Sequence, residues 1–400
     1  MPDFEAHSPL FHPLQSDEDA RPEALMTART RAALAWGALQ GRVTHVPDEV
    51  AHHFCCALTR LMTVDALAHS GFPGGDVWFS SWFSGLEPVP GVTTHAAAPA
   101  SLVAETLLSE LSLSHWGPLA DAATQIRAAA RFDPGDRRGM TSCLPAFAIE
   151  EAARLAGSVE NEIDVVWPLA ALDRLHSAAA ASQHFAPPER ERQLLALPSG
   201  PKALEQAMTA TPLWALDLVA GAMIAHDNQA SRPLPCPGAV RAEALKAHWW
   251  PRERAILVAE AAQSTAQKLT GMLDTAYRTV NEMQMPAARL RSTSRAPGLY
   301  RLLSGFGPLR PIQIEKALAV SKNGVRDLVA ALVKAGLAEM TSHRSQALVR
   351  ALPPPHRIAQ PVVPAVEPAA ITDDKFAEFD AAMADIDRLL ARSNAPIQKE

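Results

Sequence analysis

One run constrains the fold of this 400-residue chain more than any other: Ile314-Glu-Lys-Ala-Leu-Ala-Val-Ser-Lys-Asn-Gly-Val-Arg-Asp-Leu-Val-Ala-Ala-Leu-Val-Lys-Ala-Gly-Leu337. Its apolar residues fall into two helix-spaced groups. Ile314, Ala317 and Leu318 mark a first helix over about 311–318, and Val325, Leu328, Val329 and Leu332 mark a second. Ala319-Val320 leaves room only for a tight connection. Ser321 stands at the N-cap of the second helix, its hydroxyl placed to accept from the backbone N–H of Asn323 or Gly324. Gly336 stands where the C′ residue belongs. Lys322, Asn323 and Arg326 are left on the outer side near the start of the second helix, donor-rich side chains suited to base edges and phosphates.

The flanks extend the pattern. A preceding helix near Pro297–Leu303 offers Leu299, Leu302 and Leu303 to a three-helix core, and Arg289, Arg291 and Arg295 lie just before it as a basic arm. Leu337–Met340 and Gln346–Arg350 read as two short strands around Thr341–Ser345, with Arg344 at the tip. The I-x-x-x-L-x-V-S-x-x-x-V-R run and the closing G-L, with these flanks, resemble the winged helix-turn-helix domains of bacterial regulators over about 295–350. The resemblance implies a recognition helix in the DNA major groove, to which Ser321, Lys322, Asn323 and Arg326 are assigned. Arg344 is assigned to the minor groove or backbone, and Arg310 and Lys316 to phosphates. Gly324 departs from the family pattern, where a better helix former is usual; glycine costs up to about 1 kcal/mol in a helix interior. The whole chain resembles, more loosely, a little-characterised group of bacterial proteins with an Ala-rich helical N-terminal region and a C-terminal helix-turn-helix. Ala35-Trp36-Gly37-Ala38-Leu39, Gly41-Arg42 and Trp78–Leu86 carry that likeness, together with 314–337. It implies DNA binding and no particular activity.

Charge is segregated in the same sense. Residues 289–357 hold 12 Lys+Arg against three acids, net +9, whereas 1–288 carry net −11 and 358–400 net −4. A basic block of this kind releases counterions from a polyanion while its acidic flanks repel one, which favours double-stranded DNA as partner.

Elsewhere the chain reads as mainly α, with few β-branched runs and much alanine. Residues 1–24 are polar and proline-broken, a disordered segment. Residues 25–235 form a helical domain, with Asp48 capping a helix that carries Val50, Phe54, Leu58, Leu61 and Met62 on one face. Further helices are expected at about 100–113, 117–131, 145–158 and 168–182, and Ser199–Met223 reads as helical with an interruption near Pro212. Residues 240–288 are a long helical connector running across Pro251, with a small-residue stripe at Ile256, Ala259, Ala262, Ala266, Leu269, Leu273, Ala276, Val280 and Met283. An ordinary scaffold helix and a homodimer interface both suit it. The winged helix-turn-helix occupies 289–351, a proline-rich linker 352–371, and a tethered amphipathic helix 372–392 with Phe376, Phe379, Met383, Ile386 and Leu390 in one stripe.

Candidate chemistry is sparse. His52, His53, Cys55 and Cys56, with His45 and His69 nearby, are metal-ligand types, but no second spaced pair completes a structural zinc site, and buried Cys and His are the commoner explanation. Trp78, Trp82, Trp249 and Trp250 suit core packing better than a ligand pocket. No P-loop, dinucleotide fingerprint, H-E-x-x-H or G-x-S-x-G motif occurs. Adjacent Cys55 and Cys56 argue against a disulfide framework, and no signal peptide or apolar span is read, so a cytoplasmic location and no membrane are expected. The expectation is a DNA-binding transcriptional regulator, not an enzyme, with no cofactor and no metal; its small-molecule effector is left open. The alternative is a scaffold whose winged helix and C-terminal helix bind protein partners.

Overall fold

The computed structural model describes residues 22–72, 75–88, 98–131, 144–159, 167–186, 192–197, 200–205, 210–227, 232–246, 248–287, 295–343 and 346–353. Twelve α-helices lie among the described residues, and the protein is mainly helical. They are α1 (Pro22–Thr44), α2 (Asp48–His69), α3 (Gly75–Phe83), α4 (Ala100–Leu111), α5 (Gly117–Ala129), α6 (Leu144–Val159), α7 (Ala170–Ala181), α8 (Leu213–Asp227), α9 (Pro251–Ala287), α10 (Ala296–Gly305), α11 (Pro311–Ala317) and α12 (Lys322–Lys334). Two antiparallel hairpins accompany them, β1 (Arg192–Leu197) with β2 (Gly200–Glu205), and β3 (Ala338–His343) with β4 (Gln346–Ala351). No helix among the described residues is long and apolar enough to cross a membrane.

At the centre stands α2, which packs against α4, α5, α8, α9 and α10. Its buried residues include Phe54, Cys55, Cys56, Leu58, Thr59, Met62, Thr63, Ala66 and Leu67, so apolar or small side chains face inward almost all round. The two buried threonines satisfy their hydroxyls locally: Thr59 Oγ1 donates to Cys55 O (2.8 Å) and Thr63 Oγ1 to Thr59 O (2.7 Å). One continuous core runs from Ala28 of α1 to Val349 of β4. Residues 1–355 form a single unit, and 356–400 a second that lies outside the described residues. The expected disordered segment to residue 21, the amphipathic helix at 372–392 and all but the first two residues of its linker lie there too, as do Arg289, Arg291 and Arg344.

The expected small-residue stripe of α9 is buried within this chain. Ala259, Ala262, Ala266, Leu269, Leu273, Ala276, Val280 and Met283 pack inward, chiefly on α1, which returns Ala28, Ala32, Trp36, Leu39 and Val43. An Arg42–Asp274 ion pair and the Arg42 guanidinium over Tyr277 (5.9 Å) close the edge of that pairing. The stripe is therefore covered, and the dimer expectation loses the surface it was built on.

Three further expectations need correction. Asp48 is the first residue of α2 rather than its cap; Pro47 holds the N-cap position in extended backbone, without a side-chain bond. The helical signal does not run across Pro251. The chain makes a 3-10 turn at Ala242–Leu245, and Pro251 begins α9, since the missing N–H costs nothing in a first helical turn. The break near Pro212 is there, with α8 starting at Leu213, but the stretch before it is not helical: 192–205 pair as a hairpin in register Arg192↔Glu205 to Leu197↔Gly200. Gly200 and Pro201 disfavour helix there, and strand pairing outweighs the helical preference of the leucines.

Candidate nucleic-acid interface

The 295–352 segment holds three helices and a hairpin, with Leu318 and Leu328, expected in the core, only half-buried. α10 buries Leu299, Leu302 and Leu303, α11 buries Ile314 and Ala317, and α12 buries Val325, Val329 and Leu332. Ala319 turns the chain between α11 and α12 at a φ of 48°, and Val320 N donates to Glu315 O (3.1 Å). Ser321 caps α12, its Oγ accepting from Gly324 N at 3.2 Å. At the other end Gly336 takes a φ of 72°; its N–H donates to Val333 O (3.0 Å) and the Leu337 N–H to Leu332 O (2.9 Å). These two bonds, with Leu332 and Leu337 both buried, form a Schellman motif. β3 and β4 then pair from Ala338↔Ala351 to His343↔Gln346, longer strands than expected. A bridge between Leu309 and Val349, with N–H···O distances of 3.1 and 2.8 Å, adds a third extended segment.

This segment is fixed to the helical body through helix ends. The last carbonyls of a helix have no partner in their own helix and must find donors elsewhere. Gln313, fully buried on α11, serves two such ends at once: its Nε2 donates to Phe83 O at the end of α3 (3.2 Å) and to Ala129 O at the end of α5 (3.0 Å). Its Oε1 accepts from Arg310 N (2.8 Å). Arg310, expected on a phosphate, is half-buried, and its Nη1 donates to Ser84 O (3.0 Å). It is a positioning residue, drawn inward because the carbonyls just beyond α3 need donors. Arg295 likewise donates to Leu318 O (2.8 Å) beyond the end of α11.

Apolar contact completes the docking. Phe306 stacks edge-on against Phe83 (4.8 Å) and Phe79 (5.6 Å) of α3, and Arg60 of α2 donates to Phe306 O (2.7 Å). Gly305 lies so close to α2 that a Cβ there would meet Cys56 Cβ and His53 O at 2.8 Å, and only glycine fits. Tyr300 OH donates to Leu352 O (3.0 Å), and His343 Nε2 lies 3.1 Å from Glu87 Oε1.

The outer side of α12 is free of such ties. Its neighbours are α10, α11 and β3, and Lys322, Asn323, Arg326, Ala330, Val333 and Lys334 are exposed. Lys316 on α11 is exposed as well. Of the expected contact residues, Lys316, Ser321, Lys322, Asn323 and Arg326 thus lie on or beside one accessible helix, and Arg310 does not join them. Sequence reading missed Gln313. The signal was a polar residue at the helix-spaced position before Ile314, where an apolar side chain would be usual.

Among the described residues, the expected metal-ligand types His52, His53, Cys55 and Cys56 do not converge into a cluster. His53, Cys55 and Cys56 are buried. Burial, with the Arg301 guanidinium nearby, lowers His53 to a pKa of about 4, and burial pushes the Cys56 thiol up to about 12. They are core residues. Trp82 is buried in the same aromatic cluster as Phe79, and Trp250 is substantially exposed. No protein-family model matches the chain and no curated protein aligns with it, so a functional reading rests on this geometry.

Proposed function

We propose that residues 295–352 form a winged helix-turn-helix, that α12 enters the major groove of double-stranded DNA, and that the protein is a transcriptional regulator. The observation that carries this reading is the accessibility of one face of α12, bearing Lys322, Asn323 and Arg326, in a segment whose other helices are anchored to the body. A recognition helix needs that combination: donors free to reach base edges, on a support that holds their orientation. The local +9 charge supplies the sequence-independent part of the affinity. Lys322, Asn323 and Arg326 are assigned to base edges, Lys316 to a phosphate, and the Ser321 region to the backbone at the helix start.

The test is fluorescence anisotropy of the full chain on random and selected duplexes across a salt series. Binding is expected to weaken with salt, by about one unit of log–log slope for each phosphate contacted, Lys316 supplying one such contact. Arg326→Ala is expected to reduce discrimination between sites by about 1–3 kcal/mol. A flat salt response removes the polyanion reading and leaves the protein-binding scaffold in its place. An equal loss on every sequence removes base reading by Arg326.

A further inference from the structure

Away from α12, a cavity of about 230 Å³ opens among the ends of several helices, lined by His69 and Ser70 beside Val103, Phe147, His184 and Trp214. Asp65 stands one helical turn before His69 on α2, and Asp217 of α8 approaches from across the core. Among the described residues these three are the His, Cys, Asp or Glu side chains whose donor atoms converge, all within 4.8 Å of one another. Asp217 is fully buried. Its Oδ2 accepts from Gly238 N and its Oδ1 from Val240 N, both at 2.8 Å. A carboxylate held this way is fixed in orientation and keeps a lone pair on each oxygen.

His69 Nδ1 and Asp65 Oδ2 pair at 3.2 Å with both atoms shielded from water, so an ion held there would meet two donors already desolvated and facing each other.

We propose that Asp65, His69 and Asp217 bind one divalent transition-metal ion of the zinc class, with a coordination position open toward the cavity. Metal–ligand bonds of about 2.0–2.1 Å place neighbouring donors about 3.0–3.4 Å apart around a tetrahedral or octahedral ion, which spans the 3.2 Å observed between His69 and Asp65. Asp217 completes the set, with the three donor atoms all within 4.8 Å of one another. Two carboxylates balance the charge of a divalent ion, and the imidazole selects against magnesium and calcium. Three protein ligands leave a position free, the arrangement of sites that bind an exchangeable ligand, and the cavity beside His69 gives the ion its entry path. Asp65-x-x-x-His69 was legible as a same-face pair; Asp217 was visible only as a lone acid in the apolar run Leu213–Ile224.

The test is calorimetric titration of chelator-treated full-length protein with Zn2+, and separately with Mg2+. One Zn2+ per chain is expected, at least about a hundredfold tighter than Mg2+, accompanied by a rise in melting temperature. His69→Gln and Asp65→Asn are each expected to weaken Zn2+ at least about tenfold while circular dichroism stays unchanged, and Asp217→Asn to do the same where it folds. His226→Ala, exposed on α8, is expected to bind as the parent does. Absence of saturable Zn2+ binding by the parent chain overturns the proposal. So does undiminished binding in both His69→Gln and Asp65→Asn, which would make the cluster an internal ion-pair network.

Discussion

Replacing Gln313 by alanine tests how the 295–352 segment is held. The substitution removes three hydrogen bonds from a side chain with no solvent exposure. Phe83 O keeps the Arg131 N–H at 3.3 Å, but Ala129 O and Arg310 N each lose the Gln313 partner. Two buried groups left without partners cost about 1–3 kcal/mol each. The vacated volume adds roughly 1 kcal/mol. The expected loss is therefore about 3–7 kcal/mol, among the larger effects of a single substitution. Gln313→Met keeps most of the volume and none of the polarity, and is expected to lose about 2–6 kcal/mol. Urea unfolding followed by tryptophan fluorescence measures both, and hydrogen exchange localises the effect to α11 and the ends of α3 and α5. A loss below about 1 kcal/mol in both variants refutes the reasoning, because the bonds would then be replaceable by water.

Gly324 meets only ordinary contacts, Ser321 Oγ and Val320 Cβ at 3.5 Å, so Gly324→Ala is expected to raise stability by up to about 1 kcal/mol in thermal unfolding. If that variant binds DNA as the parent does, close backbone approach at Gly324 is not part of recognition. His176 is fully buried, its Nδ1 2.8 Å from Leu172 O, and burial lowers its pKa to about 4, as it does for His53. The unfolded chain then binds more protons than the folded one below pH 6.5, so stability is full above that pH and falls as pH drops toward 4. About 3 kcal/mol per histidine is at stake. His176→Leu is expected to remove about 3 kcal/mol of the stability lost between pH 6.5 and 4 in urea unfolding; an unchanged loss would show that His176 is protonated without cost.

The parts legible in the sequence were those in which local pattern and tertiary packing agree. Ser321, Gly336 and the apolar spacing of 314–337 specify caps and buried faces through neighbours three or four residues away, and the structure has them in those roles. Partners distant in sequence were not legible. The α9 stripe showed that something small-sided must cover it, but not that α1, more than two hundred residues earlier, does so. Arg310 carries a charge that reads as a phosphate ligand; only the carbonyl of Ser84, 226 residues away, gives it another use. The β1–β2 hairpin was missed because Leu and Ala are good helix formers, and strand pairing leaves no mark on either strand alone.

The helix-end contacts of Gln313, Arg310 and Phe306 also impose an order on biosynthesis. α3 and α5 leave the ribosome before the Gln313 amide that bridges their ends, and it arrives about two hundred residues later: 230 separate Gln313 from Phe83 and 184 separate it from Ala129. Loop closure over such spans is entropically costly and slow relative to local helix formation. Until α10 is synthesised, the Phe79 and Phe83 rings lack the Phe306 ring that covers them in the folded chain. Synthesis of α10 and α11 is the step that supplies these contacts.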